Sequence, residues 1–493
     1  MTERHRLPSG YVCQSDAAPY LDVPSGITYQ PDVYSFAAYL AERATARRIV
    51  DIGCGAATKL ASINRRIETV CIDNAESLEL ARTNVPGATF IAADLERGLL
   101  ELNDALFDDA VVICADVLEH LHNPDVVARR LASLASRSPY MLLSTPDRDR
   151  ARGLLNGGPP DNRAHIREWN ADEFGRFLHD CGFCSPLIIG HTVNNNIVLA
   201  KATTLVVAGR EALPAQIRKR RVVAAVMHAF NEADIIRETV THLRSQGVEV
   251  HAFDNWSDDG TYESLKQMQA EGLCATVLRF PDQASEHFEL RSQLEFTAEF
   301  SCSLNADWII HHDADEFRYS PWHGVPLCDA ITFADSLGYN ALDFTVLDFR
   351  FLQTRPDFDG RFESQLTHFE FGRRPGHLKQ IKAWKNSKPL VNLADSGGHS
   401  AEFPGRRIYP LKFLLKHYPL RSRDQAKRKI FRDRERRIAK ERALHGWHAH
   451  YDAIIEQGSI PEWYEHNLTP WHRPMFEDEF VVERLSGIGL SRA

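Results

Sequence analysis

At 493 residues, with 43% hydrophobic and 25% charged side chains, the chain is too long for one core and too ordinary in composition to be fibrous or disordered, so two or more globular domains are expected. A net charge of −9 argues against a protein that holds nucleic acid by general phosphate attraction. The opening stretch MTERHRLPSGYVCQSDAAPYLD has no apolar core of signal-peptide length, and no run of roughly 18 uncharged apolar residues occurs, so neither a leader nor a transmembrane helix is expected.

The nine cysteines are scattered, several of them inside apolar runs (Cys54, Cys71, Cys114), as reduced core thiols of a cytoplasmic protein would be. Cys181 and Cys184 form a CxxC, but no second pair stands at zinc-binding spacing.

In chain order, strands IVDIG, TVCID, ATFIAAD, DAVVICAD and YMLLSTP alternate with helical stretches such as SLELARTN and PDVVARRLASLAS. That alternation predicts a mostly parallel, doubly wound α/β sheet. IVLAKATTLVVAGR reads as its terminal strands, and GREALPAQIRKRR as a polar, basic linker. A second α/β beginning follows at RVVAAVMHAFNE, and after about residue 420 the chain becomes a highly charged helix, SRDQAKRKIFRDRERRIAKERALHG. The expected layout is a first domain over 1–205, a linker over 206–220, a second domain over 221–420, and a basic helical extension over 421–493 packed on the second domain.

The first candidate site starts at Asp51-Ile52-Gly53-Cys54-Gly55, directly after an apolar strand. Glycines there permit a tight turn and close approach of a ligand to the backbone. Asp73 ends the second strand, about 20 residues on, where a carboxylate can grip both hydroxyls of an adenosine ribose. Asp94 ends the third strand and Asp116, within ADVLEH, the fourth. A strand-end aspartate often only caps the next helix; four in register point to a ligand crevice.

DIGCG, CIDN, AADL and CADVLEHLHNP, with LLSTPDR and HIREW after them, resemble the class I S-adenosylmethionine-dependent methyltransferases over roughly residues 25–200. The resemblance implies that Gly53 and Gly55 pass under the methionine part of the cofactor and that Asp73 holds the ribose. It also implies that Asp94 and Leu95 flank the adenine and that Asp116 lies near the amino-acid end. The sulfonium is already activated, so alignment of the acceptor supplies most of the rate. A hydroxyl acceptor also needs a base near neutral pH; His165 is the first choice and His120 the second. A loop-holding role for His165 stays open.

The second candidate site gathers FNEADII, FDNWSDDGT and WIIHHDADEF. Asp313 and Asp315, one residue apart after an apolar strand, can both reach a hard divalent cation that shares its shell with a substrate diphosphate. An isolated DxD is more often a solvated turn; its place after a strand and behind two upstream motifs favours the site. Together the motifs resemble the GT-A-fold, family-2-like glycosyltransferases over about residues 221–420. The resemblance implies that Glu232 and Asp254 contact the nucleotide base or ribose and that Asp313 and Asp315 bind Mn2+ or Mg2+ with the diphosphate of a nucleotide-sugar. Arg291 is a further phosphate or nucleotide contact. Where the common pattern reads DDGS this chain reads DNWSDDGT, which leaves the role of Asn255 open. His399 is the expected third metal ligand, with His417 as runner-up. Asp348 is the expected catalytic base, with Glu363 and Glu370 as alternatives.

The basic stretch 421–442 reads first as a solvated helix laced by acid–base pairs, and second as a surface for an anionic acceptor or for peripheral membrane contact. Trp447, Tyr451 and Trp463 beyond it are core residues or sugar-stacking ones. The expected function is therefore bifunctional: O-methyl transfer and inverting, metal-dependent glycosyl transfer onto a glycan or small-molecule acceptor. Two other expectations compete with it, that one half is only a docking module, and that the chain modifies nucleic acid. No Asn/Asp-Pro-Pro-Tyr/Phe-type motif follows the fourth strand, which weighs against the last.

Overall fold

The computed structural model is described over residues 5–18, 26–44, 46–63, 67–99, 102–214, 219–285, 287, 289–358, 362–372, 375–387, 390–434 and 452–490. The chain divides into two compact units, residues 1–215 with 473–493 and residues 216–472. Both are α/β, as the alternation of strands and helices predicts. Among the described residues no helix is long and apolar enough to cross a membrane.

The first unit is built on one seven-stranded sheet of β1 (Arg48–Ile52), β2 (Glu68–Asp73), β3 (Thr89–Ala92), β4 (Ala110–Ala115), β5 (Tyr140–Pro146), β6 (Ile188–Thr192) and β7 (Thr203–Ala208), in the order β3-β2-β1-β4-β5-β7-β6. β1 to β5 pair in parallel, and β7 runs antiparallel between β5 and β6. Central strands covered on both faces read as unbroken apolar runs, and AVVICA of β4 is buried at every position. The order places the carboxyl ends of β1, β2 and β4 side by side, so their terminal acids and the glycine loop share one crevice.

Two expected boundaries are corrected. Residues 206–208 are not linker: Val206, Val207 and Ala208 lie in β7, fully buried against β5 and β6. The C-terminal stretch 473–493 belongs to the first unit rather than to the second. Val481, Val482 and Leu485 are buried there, Arg150 pairs with Glu479 at 2.8 Å, and Lys201 pairs with Glu483. Gly190 of β6 makes the seat, since a Cβ on it would meet the Glu477 carbonyl at 2.4 Å and Val481 Cβ at 2.6 Å.

The second unit has two sheets. One holds β8 (Val223–Ala229), β9 (Val248–Asp254), β10 (Thr276–Arg279), β11 (Trp308–Asp313), β13 (Ala341–Leu342) and β16 (Ala383–Lys385), in the order β10-β9-β8-β11-β16-β13. The other holds β12 (Glu316–Tyr319), β14 (Phe344–Arg350), β15 (His368–Phe371), β17 (Phe413–Leu420) and β18 (Thr469–Pro470), in the order β12-β17-β14-β15-β18. β11 leads through Asp313, Ala314 and Asp315 into β12, so the DxD is the bend at which the chain passes from the first sheet to the second.

Of the highly charged stretch SRDQAKRKIFRDRERRIAKERALHG, only the part up to residue 434 is described. There it is a short helix, Arg423–Lys427, followed by a wider turn, Arg428–Arg434. It is not a solvated face over this length, because Arg421 and Lys429 are buried. Trp447 and Tyr451 lie outside the described residues.

Candidate active sites

A cavity of about 1150 Å³ opens at the carboxyl edge of the first sheet, walled by Gly53, Gly55, Asp73, Asp94, Leu95 and Asp116 among others. Gly53 has φ +73°, and a Cβ there would meet Val117 Cγ2 at 2.4 Å, so the loop admits only glycine at this point. Asp73 fixes the loop's other glycine: its Oδ2 accepts from the Gly55 N–H at 2.8 Å, and its Oδ1 from the Asn74 N–H at 2.7 Å. Asp94 both lines the cavity and caps the turn after β3, accepting from the Glu96 N–H at 3.1 Å. Asp116, at φ +54°, accepts from Ser144 Oγ at 2.8 Å and from Gln30 Nε2, and enclosure raises its pKa. Asp51 is the exception among the expected contacts. It is fully buried behind the loop, where it accepts from the Tyr34 hydroxyl at 3.1 Å, and it is not part of the cavity wall.

His120 and His165 stand together on the same wall, with ring centroids 4.8 Å apart and planes at 78°. His165 Nδ1 lies 2.7 Å from Glu168 Oε1, and its Nε2 lies 2.8 Å from Asn162 Nδ2. A carboxylate can only accept, so Nδ1 carries the proton. Burial would raise the Glu168 carboxyl, but the hydrogen bonds from His165 and Arg152 hold it below its ordinary value. His120 donates Nδ1–H to the Ala164 carbonyl at 2.8 Å, and burial lowers its pKa to about 4. Glu119, beside this pair, is fully buried and raised well above its ordinary value by that burial and by the Asp116 charge. Glu119, Glu168 and Arg152 escaped the sequence reading although ADVLEH and HIREW contain the first two. The strand-end rule picks out Asp116 and passes over an acid one helical turn later.

The second cavity, of about 490 Å³, is walled by Glu232, Asn255, Asp313, Asp315, Glu370, Lys382, His399, His417, Lys429 and Trp463 among others. The two DxD carboxylates face it, the Asp313 side chain 46% exposed. Lys382 Nζ lies 2.5 Å from Asp313 Oδ2 and 3.0 Å from Glu316 Oε1, and Lys429 Nζ lies 2.8 Å from Asp315 Oδ2. Enclosure would raise both aspartates, but these ammonium groups hold them far below the usual carboxylate range. Lys429 also reaches Glu232 Oε1 at 2.9 Å, and Arg421 bridges Glu232 and Asp234, at 2.7 Å from Asp234 Oδ1. Two basic residues of the extension thus belong to the cavity's charge balance.

His417 and His399 both line the cavity: His417 Nε2 lies 3.7 Å from Asp315 Oδ1, while His399, whose Nδ1 is 2.9 Å from Gln380 Nε2, is close enough to feel the Asp313 charge. Three expected roles change. Asp348 is not a wall residue. It is buried behind His417, accepting from Nδ1 at 2.7 Å and pairing with Arg350 and His377, each at 3.2 Å, so it orients an imidazole and has no path to a sugar hydroxyl. Of its two alternatives, Glu370 lies on the wall beside Arg350 at 2.9 Å; the Glu363 side chain is outside the described part. Asp254 is fully buried and accepts from the Ser257 N–H at 3.0 Å; its neighbour Asn255 takes the wall position. Arg291 points away from the cavity to Glu295 and Asp395, at 3.4 and 3.2 Å. On its helix, Leu290–Ser303, the cavity-lining residues are Leu290, Gln293 and Leu294, and position 291 falls about 100° round from 290.

The residues present fit an adenosyl cofactor in the first cavity, whose loop a single Cβ would block, and a cation at the second, where two ionised carboxylates and an oriented imidazole converge.

Comparison with known proteins agrees with this division. Residues 29–184 match the family profile described as a methyltransferase domain, and residues 224–285 match that of glycosyl transferase family 2. Two curated Mycobacterium tuberculosis proteins, each named "Probable S-adenosylmethionine-dependent methyltransferase", are 32% identical over 158 residues, covering 31% of this chain. The chain spans about half of these relatives' own length, 54%. Similar solved structures include S-adenosylmethionine-dependent methyltransferases from Archaeoglobus fulgidus (17% identical, 36% of this chain and 91% of that one, TM-score 0.27) and Mesorhizobium loti (18%, 36% and 97%, TM-score 0.27).

Proposed function

We propose that this chain, a methyltransferase domain fused ahead of a glycosyltransferase family 2 domain, is a bifunctional enzyme of glycan or glycosylated-metabolite biosynthesis in the cytoplasm. In the first cavity S-adenosylmethionine would be held over Gly53 and Gly55, with Asp73 for the ribose, Asp94 and Leu95 for the adenine, and Asp116 toward the amino-acid end. The acceptor is a hydroxyl held at His120 and His165, where it is activated. Bound there, S-adenosylmethionine would supply an activated methyl group, its thioether leaving with the electron pair while the hydroxyl oxygen takes the methyl and its proton passes to solvent. Alignment of these atoms is the protein's main contribution.

In the second cavity the donor is a nucleotide-sugar. Mn2+ or Mg2+ would be held by Asp313, Asp315 and His417 and would offset the charge building on the departing diphosphate. Lys382 and Lys429 flank the same phosphates. Glu232 and Asn255 face the nucleoside, Trp463 offers a ring for a sugar to stack on, and Glu370 serves as the base of an inverting transfer. The observation that carries this reading is the line Asp348–His417–Asp315, a carboxylate orienting a histidine toward the DxD, which is how protein-held cations are commonly backed.

The direct test is a nucleotide-sugar panel read by thermal shift, with and without Mn2+, since a ligand of the native state raises apparent stability by mass action. One nucleotide-sugar is expected to raise the midpoint, and more so with Mn2+. No shift with any donor would refute the glycosyl-transfer half.

A further inference from the structure

Alignment of a sulfonium and a hydroxyl does not use Glu119, a buried acid behind the first cavity's wall beside His120 and His165. Glu119 is fully buried, and among the described residues neither of its carboxylate oxygens has a hydrogen-bond partner. The Thr145 hydroxyl and the Glu119 backbone N–H are near it without completing a bond. A buried carboxylate left this way is costly unless a proton or a cation joins it.

The groups around it have the form of a ligand set. The ligating atoms of Glu119, His120 and His165 all lie within 4.8 Å of one another. Both imidazoles are anchored through Nδ1–H, His120 on the Ala164 carbonyl and His165 on the Glu168 carboxylate. That outer hydrogen bond fixes the tautomer, makes Nε2 the ligating nitrogen and strengthens it as a donor, as in carboxylate–histidine–metal triads. The Asn162 amide now sits 2.8 Å from His165 Nε2 and would give way to an ion.

We infer that Glu119, His120 and His165 form a divalent transition-metal site whose remaining positions take hydroxyl oxygens of the methyl acceptor. Two imidazoles and one carboxylate suit Mn2+, Fe2+, Co2+ or Zn2+ better than Mg2+, which prefers an all-oxygen shell. Three protein ligands leave positions open. An acceptor with two adjacent hydroxyls, as on a sugar ring, would be held through both oxygens and so presented to the sulfonium in one orientation. His165 is then a ligand instead of the free base expected from the sequence, because an Nε2 lone pair given to a cation is not available to a proton. The acceptor part of this inference rests on the methyltransferase reading of the cavity; the ion site does not.

The test titrates Co2+ into the full-length protein and counts bound ions by equilibrium dialysis, for the wild type, Glu119→Gln, His165→Gln and Glu168→Gln. S-adenosylmethionine is titrated into the same samples by calorimetry. Glu119→Gln and His165→Gln are each expected to bind one Co2+ fewer, while still binding S-adenosylmethionine. Glu168→Gln, which removes only the outer hydrogen bond, is expected to keep the ion with about 10- to 100-fold weaker affinity. Co2+ bound in equal number and with equal affinity by all four proteins would overturn the site. Failure of S-adenosylmethionine to bind any of them would instead refute the methyltransferase reading, and the Co2+ count would still decide the ion site.

Discussion

Lys429 Nζ lies 2.8 Å from Asp315 Oδ2, a contact between residues 114 positions apart that brings the basic extension into the second cavity. The same ammonium meets Glu232 at 2.9 Å, so one side chain balances an acid from each of two motifs. Replacing it with Lys429→Met takes this buried ammonium from both acids, leaving Glu232 to Arg421 and Asp315 to His417. Removing one member of a buried pair costs about 3 kcal/mol or more, so the urea midpoint of the second unit is expected to fall accordingly. An unchanged midpoint would show that the pair is solvated.

His417 and His399 separate cleanly by substitution. His417→Gln removes the imidazole held between Asp348 and Asp315, whereas His399→Gln disturbs a contact to Gln380. The Mn2+-dependent part of nucleotide-sugar affinity is expected to fall about 10- to 100-fold in the first variant and to change little in the second. Titration calorimetry with and without Mn2+ reads the difference.

Acid is expected to destabilise the second unit well before its carboxylates titrate. Burial lowers His228 and His312 to about 3 and His311 to about 4, while in the unfolded chain each takes up a proton near pH 6.5, the usual value of about 6.5. Below that pH the unfolded state binds more protons, so stability falls as pH falls. His417 works in the opposite sense. Burial opposes its charge, but Asp315 and Asp348 raise its pKa, so its contribution is present in acid and is lost as pH rises through the raised value. His399 is likewise lowered by burial, to about 4, and His251 and His368 are lowered too, so these groups outweigh His417 and the melting temperature is expected to drop between about pH 6.5 and 4. His312→Leu, at a fully buried ring, should flatten the slope.

The sequence made the sheets and the ligand edges readable because both are local signals. An apolar run that breaks into Gly53-Cys54-Gly55, or into Asp313-Ala314-Asp315, announces a strand end and its chemistry within a few residues. What stayed hidden depends on residues meeting from far apart. Lys382 lies 69 positions from Asp313, and Arg421 lies 189 from Glu232; no spacing rule links them. Asp348 was misread as a base for the same reason, since only the pairing of β14 with β17 puts His417 in front of it. Arg291 was misassigned through helix phase, with its neighbours 290, 293 and 294 taking the cavity face. The return of residues 473–493 to the first unit left no mark in composition, because a short helix such as Val481–Ser486 declares its buried face only against a partner.

That return has its own test. Gly190→Val places a branched side chain where even a Cβ would lie 2.4 Å from the Glu477 carbonyl. Overpacking of this kind costs about 1–3 kcal/mol, and the C-terminal stretch is expected to become more sensitive to limited proteolysis while residues 216–472 keep their stability. Unchanged proteolysis would place residues 473–493 elsewhere.

The most direct measurement of the two-site account is a paired calorimetric titration of the full chain with S-adenosylmethionine and with the nucleotide-sugar found by the panel, the latter with Mn2+. Asp73→Asn is expected to abolish the first binding and leave the second unchanged. Asp313→Asn with Asp315→Asn is expected to do the reverse. Loss of both ligands in either variant, or of neither in both, would contradict the assignment of Asp73 to one cofactor and of the Asp313–Asp315 pair to the other.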